Sequence, residues 1–295
     1  MKLACATERL AVKNVLVAAD LSPVSETALN FARAIARRYD SKLFVSNVIS
    51  PAETAMIPPE YWGSTEQMIE EAAERQLRQL GARLEGLPHE LLLERGGVSD
   101  AVFEDIDRLG IDLVVLGTHG REGFGRLMMG SIAEEIIRRV TCPVLTIGPR
   151  VAARMPGEAE FKEIIFATNF GMESCAATPY AISLAQEFQA RLTLVNVVTE
   201  RLSSIEPRQV VMDRINRLRE LVPPDADLWC QPECVVEFGK AAEQILSAAK
   251  ERNADLIVLG AKSAAWPTGA ATHVSEATAH TVVSHATSPV MTVRG

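Results

Sequence analysis

The 295-residue sequence predicts an α/β protein built from two tandem doubly wound domains, and three observations carry that prediction. The first is an internal repeat. NVLVAAD at 14–20 and EIIFATN at 163–169 open two parallel series: DSKLFVSNVIS at 40–50 matches QARLTLVNVVT at 189–199, IDLVVLG at 111–117 matches ADLIVLG at 254–260, and TCPVLTI at 141–147 matches TSPVMTV at 287–293. Second, short apolar runs alternate with segments of helical period inside each copy, the pattern of buried parallel strands joined by crossover helices. Third, the length fits two ordinary domains or one large one, and the repeat decides for two.

In the first copy the apolar runs place strands near 14–19, 42–48, 89–94, 113–117 and 144–147. Between them, apolar residues recur at three- and four-residue steps: Val24, Ala28, Phe31 and Ile35; then Ile69, Ala73, Leu77 and Leu80; then Val102, Ile106 and Leu109. Ser22 and Ser64 stand where N-caps belong, and Ser64 with Gln67 reads as a capping box. Right-handed crossovers then make each copy a doubly wound unit. Domains of 1–149 and 162–295 follow, joined by a linker at 150–161 that contains Pro156 and Gly157. The 49–63 connection is longer than its counterpart near 198–204; its Met56, Ile57, Tyr61 and Trp62 form a lid, a partner surface or simply a packed surface loop.

Composition narrows the function classes. No apolar stretch approaches the roughly 18 residues of a membrane span, so no membrane association is expected. MKLACATERLAVK lacks the apolar core of a secretory signal, including ahead of Cys5. Five scattered cysteines fit a reducing compartment, which makes the expected location cytoplasmic. A net charge of −8 repels a polyphosphate backbone and disfavours nucleic acid as a partner.

GTHGREGFGRLMMGS at 117–131 leaves the carboxyl end of the fourth strand, the rim where ligands bind in open parallel sheets. Gly130 and Ser131 open the helix SIAEEIIRR, whose unpaired N–H groups and dipole favour an anion. Glycine at 130 lets a phosphate reach the backbone, Ser131 can cap the helix and donate a hydroxyl, and Arg121 and Arg126 add positive charge. On loop chemistry alone, a phosphate cradle and a plain surface turn both stand. The chain has no Gly-x-Gly-x-x-Gly after the first strand and no Gly-x-x-x-x-Gly-Lys-[Ser/Thr], against a dinucleotide or P-loop enzyme.

The spacing Gly117-x2-Gly120-x9-Gly130-Ser131, between DLVVLG and CPVL, resembles the ATP-binding signature of the universal stress protein family, and the resemblance spans nearly the whole chain as a tandem pair. It implies an adenine nucleotide alpha hydrolase-like, Rossmann-like fold with five strands per domain in the order 3-2-1-4-5. It also implies fifth strands pairing across the two domains as a pseudo-dimer, or across a homodimer. ATP is the implied ligand. The purine and ribose would lie against Ala18, Asp20 and Val48, the rim of strand four would supply Leu116, Gly117, Gly120 and Arg121, and Gly130, Ser131, Ile132 and Ala133 would hold the phosphates. Mg²⁺ or Mn²⁺ would arrive with the nucleotide. Asp20 also has a plain reading, an acidic residue favourable just before a helix.

The second copy departs from this pattern. Asn169 replaces Asp20, Ser263 replaces Gly120, and AKSAAWPTGAATHVSEA at 261–277 is three residues longer, which aligns Glu276 and Ala277 with Gly130 and Ser131. A carboxylate there repels phosphate, so the second domain is expected to bind no ATP in this way and to be structural or to bind something else. His273, His280 and His285 with Cys230 and Cys234 lack the spacing of a zinc site, and Cys234 aligns with Leu91 of a core strand. No nucleophile-and-base arrangement is visible, and His119 reads as a solvated loop residue. The resulting expectation is a stress-response regulatory or protective module that binds ATP in its N-terminal domain, with slow hydrolysis at most. The rivals are a non-nucleotide interaction protein using its loops and tandem surface to bind a partner or small apolar ligand, and an ATP-cleaving enzyme of a related fold.

Overall fold

The computed structural model describes residues 10–51, 62–118, 129–154, 159–199, 207–224, 226, 230, 232–261 and 278–295. They form two compact units, Val12–Ala159 and Glu160–Gly295.

The N-terminal unit runs β1 (Asn14–Ala18), α1 (Pro23–Tyr39), β2 (Lys42–Ile49), α2 (Trp62–Ala82), β3 (His89–Arg95), α3 (Val98–Leu109), β4 (Leu113–Gly117), α4 (Ser131–Arg139), β5 (Val144–Ile147) and α5 (Pro149–Arg154). Its strands are parallel in the order β3-β2-β1-β4-β5. The C-terminal unit runs β6 (Glu163–Ala167), α6 (Met172–Phe188), β7 (Arg191–Val198), α7 (Pro207–Arg219), β8 (Glu233–Phe238), α8 (Ala241–Glu251), β9 (Leu256–Ala261), α9 (Thr278–His285) and β10 (Val290–Arg294), in the order β8-β7-β6-β9-β10. Two tandem α/β domains with the 3-2-1-4-5 order are therefore what the chain forms. Both are cored by the β-branched runs: Val15, Leu16, Val17, Val114 and Val115 in one, Ile164, Ile165, Phe166, Ile257 and Val258 in the other, all fully buried. Strands buried on both faces are what near-continuous apolar runs produce.

The repeat extends to single hydrogen bonds. The Asp112 carboxylate accepts from the Lys13 and Asn14 amides at 2.8 and 2.9 Å, and Asp255 accepts from Lys162 and Glu163 at 2.9 and 3.0 Å. Asn47 Nδ2 donates to the Ala19 carbonyl and Asn196 Nδ2 to that of Thr168, both at 2.7 Å. Val45 pairs with Leu91 and Leu194 with Cys234, the strand register expected of Cys234.

Ser22 caps α1, its Oγ accepting from the Ser25 amide at 3.2 Å. Ser64 does not cap α2. The backbone is already helical at Trp62, two residues before it, and no proline stands between Trp62 and Ser64. Gln67 instead donates to Glu71 at 3.0 Å one turn on. The expected linker also opens as a helix, α5: Pro149 suits the first turn, and the Gly148 carbonyl accepts from Val151 and Ala152 at 3.0 and 3.2 Å. Met56, Ile57 and Tyr61 lie outside the described residues, as does the side chain of Trp62.

Candidate functional site

The candidate residues converge on the carboxyl rim of the N-terminal sheet. Ala18 ends β1, Val48 lies near the end of β2, and Leu116 and Gly117 end β4, with Leu116 buried and the other three half-buried. The crest between β1 and β2 is fixed from both sides: the Ala19 amide donates to the Ser46 carbonyl at 2.9 Å while Asn47 holds the Ala19 carbonyl. Asp20 follows, half-buried, with Oδ1 accepting from the Ser22 amide at 3.0 Å. It thus shapes the turn in which Leu21 takes the left-handed conformation, φ 64°. The plain reading of Asp20 holds to this extent, and it leaves the carboxylate at the rim.

Gly130 is the N-cap of α4, with φ −65° and ψ 146° and no side-chain cap. The expectation that Ser131 caps this helix is corrected here: Ser131 is its first helical residue, and the cap position belongs to a glycine with no side chain to offer. The Gly130 amide donates to the Thr118 carbonyl at 2.8 Å, and a Cβ on Gly130 would stand 3.2 Å from that same oxygen. Glycine is thus explained by the close approach of Thr118 as well as by any ligand, and its own N–H is already engaged. The donors that α4 offers are the amides of Ser131, Ile132 and Ala133, the orphan group of a first turn. Ser131 and Ile132 are exposed and Ala133 is buried. Arg139 ties α4 to α3, stacking over Phe103 at 4.1 Å, and Glu135 is held below the usual carboxylate range by the Ser99 hydroxyl and by Arg139. Gly120 and Arg121, with His119 and Arg126, lie outside the described residues.

Beneath the rim lies a polar group that the motif reading did not anticipate. Ser46 Oγ donates to Asp105 Oδ2 at 3.0 Å, and Arg108 donates to Asp105 Oδ1 at 2.5 Å and to Glu94 at 3.2 Å. Ser46 and Asp105 are each 1% exposed. The signal was present in the sequence, since Asp105 interrupts the apolar stripe of Val102, Ile106 and Leu109 three residues after Val102.

The C-terminal unit keeps a cleft of about 110 Å³ at the matching rim, lined among others by Ala167, Asn169, Glu173, Val197, Gly260 and Ala279. The helices behind it are in the expected register, because the Val140 amide donates to Ile136 just as the Ala286 amide donates to Val282. Transferred through the repeat, the cleft lining of the second unit falls on Ala18, Asp20, Val48, Leu116, Gly117, Ile132 and Ala133 of the first, seven of the candidate positions. Asn169 Oδ1 accepts from the Gly171 amide at 2.9 Å and the Ser174 hydroxyl at 2.8 Å, and Phe170 repeats the left-handed turn at φ 61°. Ser263, His273, Glu276 and Ala277 lie outside the described residues. Among the described residues no three His, Cys, Asp or Glu side chains gather as a metal group. Burial raises the Cys234 thiol, as expected of a strand residue.

Comparison with known proteins places both units in one group. The sequence profile of the Universal stress protein family matches residues 11–148 and again 160–294. A universal stress protein of Methanocaldococcus jannaschii is 27% identical over 138 residues, 46% of this chain and 81% of that protein. Universal stress protein A homolog 1 of Coxiella burnetii is 34% identical over 140 residues, 46% of this chain and 95% of that protein. Among solved structures, a universal stress protein from Archaeoglobus fulgidus superposes with a TM-score of 0.71 at 16% identity, covering 97% of this chain and 99% of that one, a likeness of fold.

Proposed function

The chain belongs to the universal stress protein family over both of its halves, and from that premise we propose that it is a stress-response module binding one ATP per chain, in the N-terminal unit. The observation that carries this reading is the first turn of α4, which has no side-chain cap and is held at the end of β4 by the Gly130–Thr118 bond. Three backbone donors with no partner among the described residues, at the positive end of a helix, suit a phosphate chain, and the apolar edge of Ala18, Val48 and Leu116 suits a purine. Asp20 stands where a ribose or base donor would meet an acceptor. Gly120 and Arg121 complete the set by sequence. Mg²⁺ or Mn²⁺ would enter bound to the triphosphate and offset its charge. The action is regulatory or protective, in the cytoplasm, with at most slow hydrolysis. Domain limits at 1–149 and 162–295 around the 150–161 linker, a pseudo-dimer through the fifth strands, and homodimerisation belong to the same reading, and sedimentation analysis of the intact chain tests the last.

Calorimetric titration with ATP tests the site. The wild type is expected to bind one equivalent. Gly130→Glu abolishes binding but crowds the Thr118 carbonyl, so Ser131→Glu is the cleaner variant: an exposed acid in the first turn favours the helix by about 0.3–1 kcal/mol while repelling phosphate. Lost binding with an unchanged or raised melting temperature supports the reading. Undiminished binding in Ser131→Glu overturns it, and no binding by the wild type leaves the non-nucleotide interaction protein.

A further inference from the structure

The C-terminal cleft and the matching N-terminal rim share part of their lining and differ where a ligand's charge is read. Six lining positions carry the same residue in both copies: Ala18 and Ala167, Ser25 and Ser174, Val48 and Val197, Leu116 and Leu259, Gly117 and Gly260, Ala133 and Ala279. These six positions present the same side chains to a ring in both copies. At about 110 Å³ the C-terminal cleft is on the scale of a single ring system.

Four replacements change its chemistry. Glu173 stands in the place of Val24 and lines the cleft. Its backbone is pressed onto β9, since a Cβ on Gly260 would lie 2.4 Å from the Glu173 carbonyl carbon. Among the described residues no cation pairs with its carboxylate. Asn169 stands in the place of Asp20; with Oδ1 engaged by Gly171 and Ser174, the group it offers is the amide nitrogen, a donor where the aspartate has only acceptors. Val195 replaces Ser46, and Ala248 takes the position of Asp105, so the polar group under the first rim gives way to an apolar floor. An acceptor and a donor on one lip above an apolar floor match the neighbouring N–H donor and ring-nitrogen acceptor of an adenine edge. The same carboxylate, half-buried and with no counter-cation among the described residues, opposes a phosphate ester.

We propose that the C-terminal cleft is a second ligand site that takes an unphosphorylated adenine nucleoside and rejects its phosphate esters. The identity of the ring rests on the adenine-nucleotide reading of the N-terminal unit; the rejection of phosphate rests on Glu173 alone. The test uses the intact chain. ATP is titrated to saturation, and adenosine or AMP is then titrated calorimetrically into the saturated protein. One further equivalent of adenosine is expected, with AMP at least about tenfold weaker. Ala241→Phe, which fills the half-buried lip at the start of α8, is expected to remove that equivalent and leave the ATP equivalent in place. Glu173→Gln, which removes the charge and keeps the length of the side chain, is expected to shrink the preference for adenosine over AMP several-fold. No adenosine uptake by the ATP-saturated protein overturns the proposal while the N-terminal reading stands. Two ATP equivalents, or AMP as tight as adenosine, overturn the rejection of phosphate. If ATP does not bind at all the N-terminal reading fails, and the response of adenosine binding to Ala241→Phe then decides the C-terminal site by itself.

Discussion

Asp105, buried, and Cys142, half-buried, are ionisable side chains in contrasting surroundings. Asp105 accepts from the Ser46 hydroxyl and the Arg108 guanidinium, so Asp105→Ala orphans a buried hydroxyl and releases an arginine. A loss of about 1–3 kcal/mol is expected in denaturant unfolding of the intact chain, while Asp105→Asn, which can still accept from Ser46, is expected to lose less. Cys142 has no such partners, and burial pushes its thiol from 9.0 up to about 11. A folded value above the unfolded one means that stability is fully present below about pH 9 and drains away as pH rises through 11. Thiol labelling at pH 8 should therefore leave Cys142 unmodified in the native protein and modify it after denaturation. Asp105 was legible as an oddity in an apolar stripe, but its partner was not. Ser46 lies 59 residues away, and nothing in a linear pattern joins a strand residue to a helix residue on the facing layer.

At the scale of elements, the strands were readable almost to the residue, because runs such as Val15 to Val17 and Leu113 to Leu116 are apolar on both faces and bounded by polar turns. Helix starts were less so. Ser22 caps α1 as its position predicts, whereas Ser64 lies inside α2, since a cap residue marks a permitted start and not an obligatory one. The glycines of the turn after β4 raise the expectation of an anion site. The reason for Gly130 was not legible, because the Thr118 carbonyl that crowds it comes from the far end of the same loop. Gly260 makes the corresponding point between elements: it is the clearance that lets the first turn of α6 rest on β9. Gly260→Ala forces backbone against backbone, and a destabilisation of about 1–3 kcal/mol is expected in chemical denaturation.

For the whole molecule, duplication lets one half serve as the control for the other. The repeat and the fold class were legible because tandem copies restate the same pattern twice, whereas the strand order followed from the family resemblance. The cleft of the second copy was not legible, since its described lining is drawn from strand ends and helix starts scattered between Ala167 and Ala279, which no linear pattern gathers. Ligand linkage gives the test at this scale. A ligand at about a hundred times its dissociation constant adds roughly 2.7 kcal/mol to the unit that binds it. Hydrogen exchange on the intact chain is therefore expected to slow in β1, β2, β4 and α4 on adding ATP, with β6, β7 and β9 unchanged; equal protection of both units would contradict a single ATP site.

One bond described above bears on how such a protein diversifies. The Gly130 amide meets the Thr118 carbonyl at 2.8 Å, so the chain leaving β4 is clasped at both ends before α4 begins. Whatever lies between the two ends closes on a base the scaffold already holds, and lengthening it carries only the slowly growing entropy of a longer loop. A duplicated domain whose chain is held in this way on either side of a connection is free to part company with its copy in what it binds while both remain the same fold.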